Sequence, residues 1–225
     1  MCKGEAVTLR ATLFDMDGLL VNSEVLWHKA EVEIFGGLGV PLSDAMGRST
    51  KGMYVNQVVT YWNAQYPWAG PDEATVVDQL LERVGQLVES EGVLMPGAMR
   101  ALDLTGERGP LALASSTPMG LIIRCLEHFG LLDRFGAIHS AEHEPFGKPH
   151  PGVFLSAASS LNTAPSECLV FEDSAAGVLA AKSATMTVVA VPTFDDLYRP
   201  EFALADLVLA SLEDLTSEWL DERFA

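Results

Sequence analysis

Short apolar runs that stop abruptly at a polar residue recur along this chain, each followed by a stretch with helical spacing. Residues 8–14 form the first run, which ends at Asp15. Residues 111–114 end at Ser115, 137–139 run into a loop carrying Lys148, 168–171 end at Glu172 and Asp173, and 187–191 end at Pro192. Residues 207–209 are a weaker final candidate. Between the runs, residues 98–107, 120–129, 152–161 and 175–184 carry apolar residues at helical intervals. Buried strands alternating with helices imply right-handed crossovers and a sheet covered on both faces. The expected fold is therefore α/β, with a Rossmann-like parallel sheet. Ligands of such sheets bind beyond the carboxyl ends of the strands, which is where the polar residues just named fall.

Residues 22–92 break the alternation. They offer helical stretches at 24–35, 54–66 and 73–89 and no convincing strand. The expected organisation is an α/β core from 1–21 and 93–225 with an all-helical insert over 22–92. Two short linkers must join them, an arrangement that suits a hinge.

Charge narrows the choice of ligand. The chain has 14 Lys and Arg against 31 Asp and Glu, a formal charge of −17, which repels nucleic acid and anionic membranes. Screening confines that repulsion to about 8–10 Å. A few cationic groups, backbone N–H groups and a metal can still converge on one phosphate. At 225 residues, 48% apolar and 20% charged, the chain has the make-up of a soluble globular protein. Cys2, Cys125 and Cys168 lie in no metal or redox spacing. With no apolar leader and no membrane-length run, the expected location is the cytoplasm.

Phe14-Asp15-Met16-Asp17-Gly18 places two carboxylates two residues apart at the mouth of a strand. Taken alone, the segment reads equally well as a turn or an incidental metal loop. Ser115 alone is an ordinary strand-end serine, with Ser116 and Thr117 equally available. Lys148 alone is a loop lysine, and Glu172-Asp173 alone caps the next helix. Their order and strand positions together resemble the four motifs of the haloacid dehalogenase superfamily. That resemblance spans essentially the whole chain, and the insert is similar to that family's helical cap.

The resemblance implies phosphoryl transfer. Asp15 is the implied nucleophile, since a carboxylate is ionised at neutral pH without activation. A hard cation must separate it from the phosphate dianion. The resemblance implies Mg2+ on the Asp15 side chain, the Asp17 main-chain carbonyl and Asp173, with Glu172 close by. Asp17 is then the general acid and base. The Ser115 hydroxyl and the Ser116 N–H hold phosphate oxygens, and Lys148 offsets transition-state charge. Its proximity is also expected to keep Asp15 ionised.

Within the superfamily a dehalogenase attacks carbon, and the second acid, Asp17, argues against it. Helical-capped sugar phosphomutases carry a lysine shortly after the motif serine and an arginine in the cap. Here the stretches read Ser115-Ser116-Thr117-Pro118 and Lys51-Gly52-Met53-Tyr54-Val55, so hydrolysis is favoured, with the mutase as runner-up because Lys51 partly substitutes. A catalytically silent binding protein is the reading from another class, and no residue supports silence. The chain most resembles phosphatases of sugar and sugar-alcohol phosphates, including those acting on 2-deoxyglucose 6-phosphate and hexitol phosphates. Asn22-Ser23-Glu24, Leu26-Trp27 and Pro67-Trp68-Ala69-Gly70-Pro71 carry that likeness. The expected partner is a small phosphate ester and the expected state a monomer. Glu24, Trp27, Lys51, Tyr54 and Asn56 are candidate substrate contacts, against a reading as packing residues or an exposed helix start. His139, His143 and His150 lie near Glu142 and Glu144 without a helical His-pair spacing, and read as a solvated loop.

Overall fold

β1 (Ala11–Phe14) lies inside a six-stranded sheet of order β3-β2-β1-β4-β5-β6. The other strands are β2 (Leu111–Ser115), β3 (Ala137–Ser140), β4 (Cys168–Glu172), β5 (Thr187–Ala190) and β6 (Leu207–Val208). Every neighbouring pair is parallel, as the alternation requires. The computed structural model describes residues 8–43, 46, 47, 50 and 53–224. β1 starts at Ala11, three residues inside the apolar run, where its ladder with Cys168 of β4 begins.

The helices in chain order are α1 (Glu24–Gly37), α2 (Val55–Gln65), α3 (Glu73–Glu91), α4 (Ala98–Gly106), α5 (Met119–His128), α6 (Gly152–Ser160), α7 (Ala175–Ser183) and α8 (Ser217–Arg223). α8, capped by Thr216 accepting from Trp219 N at 3.2 Å, goes beyond the sequence expectation. Strand side chains alternate between two cores. Phe14, Leu113, Phe171 and Val189 pack with Leu102, Ile122, Leu126 and Leu220 of α4, α5 and α8. Leu13, Ala114, Val170 and Val188 pack with Val153, Phe154 and Val178 of α6 and α7. Phe14 and Phe171 stack at 4.8 Å, 5° from parallel, across β1 and β4. Each such buried side chain contributes about 1.5–3 kcal/mol.

Leaving β1 the chain builds β2 and β3 on one side, then crosses back to β4 on the other. The strand order reverses at the β1–β4 boundary, where open α/β sheets form their ligand crevice. The helical insert sits over that end. Its buried Phe35, Val59, Trp62, Leu80 and Leu87 continue the first core. The two crossings between insert and sheet run side by side, with Asn22 N donating to Val93 O and Met95 N to Leu20 O, both at 2.9 Å. No helix among the described residues is long and apolar enough to cross a membrane.

Candidate active site

Asp15 leaves β1 with its N–H on Phe171 O at 3.1 Å and its side chain only 9% exposed. A tight turn follows, in which Met16 O accepts from Leu20 N at 2.9 Å and Val21 N at 3.0 Å. Gly18 stands at φ +75°, and a Cβ there would lie 2.4 Å from Asp173 Oδ2. The turn needs glycine both for its left-handed backbone and for room beside Asp173.

Lys148 enters from the loop between β3 and α6. Its Nζ donates to Asp15 Oδ1 at 2.7 Å, to Ala114 O at 3.1 Å and to Glu172. The Phe154 ring lies 4.8 Å beneath the ammonium. Glu172 is fully buried, and its other oxygen accepts from Ser174 N at 3.0 Å and Ser174 Oγ at 2.9 Å. Glu172 thus fixes the lysine from behind.

Asp15, Glu172 and Asp173 offer carboxylate oxygens within 4.8 Å of one another. Burial pushes the Asp15 carboxyl up to about 8; Lys148 pulls it down, while Glu172 and Asp17 push it further up. Lys148 thus acts in the expected direction, favouring the ionised carboxylate against the loss of water and two neighbouring carboxylates. Burial opposes the charge on Lys148 as well, yet Asp15 and Glu172 hold it above the ordinary lysine range. Three buried carboxylates beside one ammonium form a hard, all-oxygen donor set. Such a set fits a divalent cation of the Mg2+ type.

Asp17 faces the cavity. Its Oδ1 accepts from Ser23 Oγ at 2.6 Å and Trp27 Nε1 at 3.1 Å, both on the insert side. Its Oδ2 accepts from Thr117 Oγ1 at 2.6 Å and Ser115 Oγ at 3.2 Å, beyond β2. A cavity of about 650 Å³ lies between insert and sheet end, lined by Asp15, Asp17, Ser115, Ser116, Lys148 and Asp173 among others.

Of the candidate substrate contacts, Glu24 and Trp27 line this cavity. Lys51 lies outside the described residues. Tyr54 and Asn56 are not among its described lining residues. The Tyr54 hydroxyl donates to Ala141 O at 2.8 Å, and its ring fills the space beside Gly147, where a Cβ would lie 2.6 Å from the phenol. It fastens the insert to the Lys148 loop. Asn56 is exposed on α2, away from the cavity lining. His28 and Glu31 of α1 line the cavity unannounced; their spacing from Glu24 was the available signal, and it reads equally as a solvated helix face.

Among the described residues, the metal-capable cluster contains no histidine. His139 pairs with Ser160 Oγ at 2.9 Å, and Glu142 caps α5 through Met119 N at 2.8 Å. Cys125 and Cys168 are buried, and burial pushes both thiols up to about 12, which leaves them inert.

The chain is 41% identical over 210 residues to hexitol phosphatase B of Escherichia coli (strain K12), covering 92% of this chain and 95% of that protein. It is 28% identical to the beta-phosphoglucomutase of Bacillus subtilis (strain 168), covering 96% of each. Its fold is similar to the crystal structure of CbbY from Rhodobacter sphaeroides in complex with phosphate, with a TM-score of 0.84, 26% identity and coverage of 92% and 96%. The family model for haloacid dehalogenase-like hydrolases matches residues 9–185. The chain belongs to the haloacid dehalogenase-like hydrolase family.

Proposed function

We propose that this protein is a phosphatase of sugar or sugar-alcohol phosphates that works through a phosphorylated Asp15. The observation that carries the reading is Asp15 at the switch point of the sheet, 2.7 Å from Lys148, with Asp17 across the same cavity. An Asp15 oxygen attacks phosphorus in line, and the bond from phosphorus to the ester oxygen breaks. Asp17 gives its proton to the leaving alkoxide. It then takes a proton from the water that attacks phosphorus, so the acyl–phosphate bond breaks and phosphate and free Asp15 are regenerated. Ser115, now 3.2 Å from Asp17, turns its hydroxyl to a phosphate oxygen, joined by Ser116 N–H. Lys148 faces the charge that builds on the transferring group.

Asp15, Asp173 and the Asp17 main-chain carbonyl would hold Mg2+, with Glu172 behind them. When bound, the ion supplies the positive charge that lets a phosphate dianion approach a carboxylate. The relatives support hydrolysis over phosphomutase chemistry, since the hexitol phosphatase is the more similar of the two described. Residues 22–92 are read as the cap over the site.

The test is turnover of p-nitrophenyl phosphate and a panel of hexose, deoxyhexose, pentose and hexitol phosphates with Mg2+, with bisphosphate-primed mutase assays alongside. Release of inorganic phosphate is expected, and EDTA should silence it reversibly. No turnover across the panel would overturn the reading.

A further inference from the structure

One face of α1 lines the cavity next to the catalytic turn, with Glu24 Cγ 3.3 Å from where a Cβ on Gly18 would stand. Glu24, His28 and Glu31 recur at intervals of four and three residues, one above the other on that face. All three are half-buried and line the 650 Å³ cavity that also holds Asp15 and Lys148. His28 and Glu31 pack against Gly47, where a Cβ would lie 2.8 Å from His28 Nδ1 and 3.8 Å from Glu31 Oε2. The third wall, after β5, adds Asp195, Asp196 and Arg199.

Among the described lining residues the permanent cations are Lys148 and Arg199. Lys148 is committed to Asp15 and Glu172. Arg199 lies 3.9 Å from Asp196 and 3.6 Å from Glu201. A second phosphate or a carboxylate on the substrate is normally held by paired, charge-assisted N–H donors. The α1 wall offers carboxylates and an imidazole instead, which match hydroxyl groups because each hydroxyl both donates and accepts.

Resting on the phosphatase reading above, we infer that Glu24, His28 and Glu31 determine specificity: they accept substrate hydroxyls and reject a second anionic group. The site therefore takes monophosphates of neutral polyols in preference to phosphorylated carboxylic acids and bisphosphates. Glu31 already feels this setting. Burial, then the charge of Glu24, pushes its carboxyl up to about 7, and a substrate carboxylate placed there meets the same opposition.

The test compares kcat/KM of the Mg2+-loaded full chain for glucitol 6-phosphate and gluconate 6-phosphate, which differ in one terminal group. A preference for the glucitol ester on the order of tenfold or more is expected. In Glu31→Gln, and further in Glu24→Gln/Glu31→Gln, that ratio should fall several-fold. Glu31→Lys should bring it towards or below one. Because the ratio is internal to each variant, loss of folded protein cancels. A wild-type ratio near one, or a ratio unmoved in all three variants, would overturn the inference. Turnover of p-nitrophenyl phosphate by wild type separates the failures: with it, an absent preference sinks only this inference; without it or any other ester turned over, the phosphatase reading falls.

Discussion

The two walls of the cavity hold their polar groups by different means. On the sheet side Asp15, Lys148 and Glu172 are almost wholly buried and bonded to one another, with Ser174 and Ala114 O behind them. On the insert side Glu24, His28 and Glu31 are half-buried along a single helix. The sheet side is preorganised for charge that is the same in every substrate, the transferring phosphoryl group. On the reading proposed above, the insert side meets whatever that group is attached to, and its carboxylates and imidazole do the selecting. Asp17 joins the two, with donors from Ser23 and Trp27 on one side and Thr117 and Ser115 on the other.

The sheet side should break hardest. Asp15→Asn keeps the shape and removes the nucleophile, so turnover of p-nitrophenyl phosphate should fall at least about 10³-fold; wild-type turnover in that variant would refute the mechanism. Lys148→Met leaves Asp15, Glu172 and Asp173 with no ammonium among them. Removing one partner of a buried ion pair costs about 3–5 kcal/mol, so urea unfolding in EDTA should show a loss of that size. Mg2+ should recover part of it, because a ligand of the native state stabilises by mass action. A loss below about 1 kcal/mol would mean that the ion pairs do not secure this wall.

The same contrast decides what could be read from sequence. Asp15, Ser115 and Glu172-Asp173 were legible because a strand end in a parallel sheet puts them at one edge whatever the side chains around them do. Lys148 was legible by its place in the motif order. His28 and Glu31 were not, since on a helix their spacing describes a solvated face until other elements close over it. The anchoring of Tyr54 was hidden for the same reason: its partner is the carbonyl of Ala141, 87 residues away. The burial of Asp15 was hidden as well, since the sequence displays its charge partners and not its loss of water.

A milder effect belongs to the insert side. Glu31 has its carboxyl raised from an ordinary 4.5 to about 7 by burial and then by Glu24. Below the unfolded value both states are protonated and there is no penalty. Between about 4.5 and 7 the folded state holds a proton that the unfolded state has lost, so stability falls as pH rises. Glu31→Gln should therefore be more stable than wild type at pH 8, by about 1–2 kcal/mol after discounting its partial exposure. The advantage should shrink towards pH 4.5 in urea titrations. A constant difference across that range would show that Glu31 feels no such field.

The smallest effect concerns how the insert is fastened. Arg124 on α5 reaches across to α3, donating through Nε and Nη2 to Glu89 at 2.6 and 2.9 Å and through Nη1 to Glu82 at 2.9 Å. Between those two glutamates lies Gly85, where a Cβ would stand 2.3 Å from Arg124 Nη1. Glycine inside a helix costs about 0.5–1 kcal/mol relative to alanine, so its presence in a 19-residue helix reflects the guanidinium lying over it. Gly85→Ala should then destabilise the protein while Arg124 is present, because the side chain is pushed off both carboxylates. In an Arg124→Ala background the same change should stabilise by about 0.5–1 kcal/mol, the helix propensity it regains. A reversal of sign in this double-mutant cycle identifies a clamp between insert and core. Additive effects would reduce Arg124 to a surface residue, and would leave contacts such as those of Tyr54, Ser23 and Trp27 to hold the insert's wall over the catalytic one.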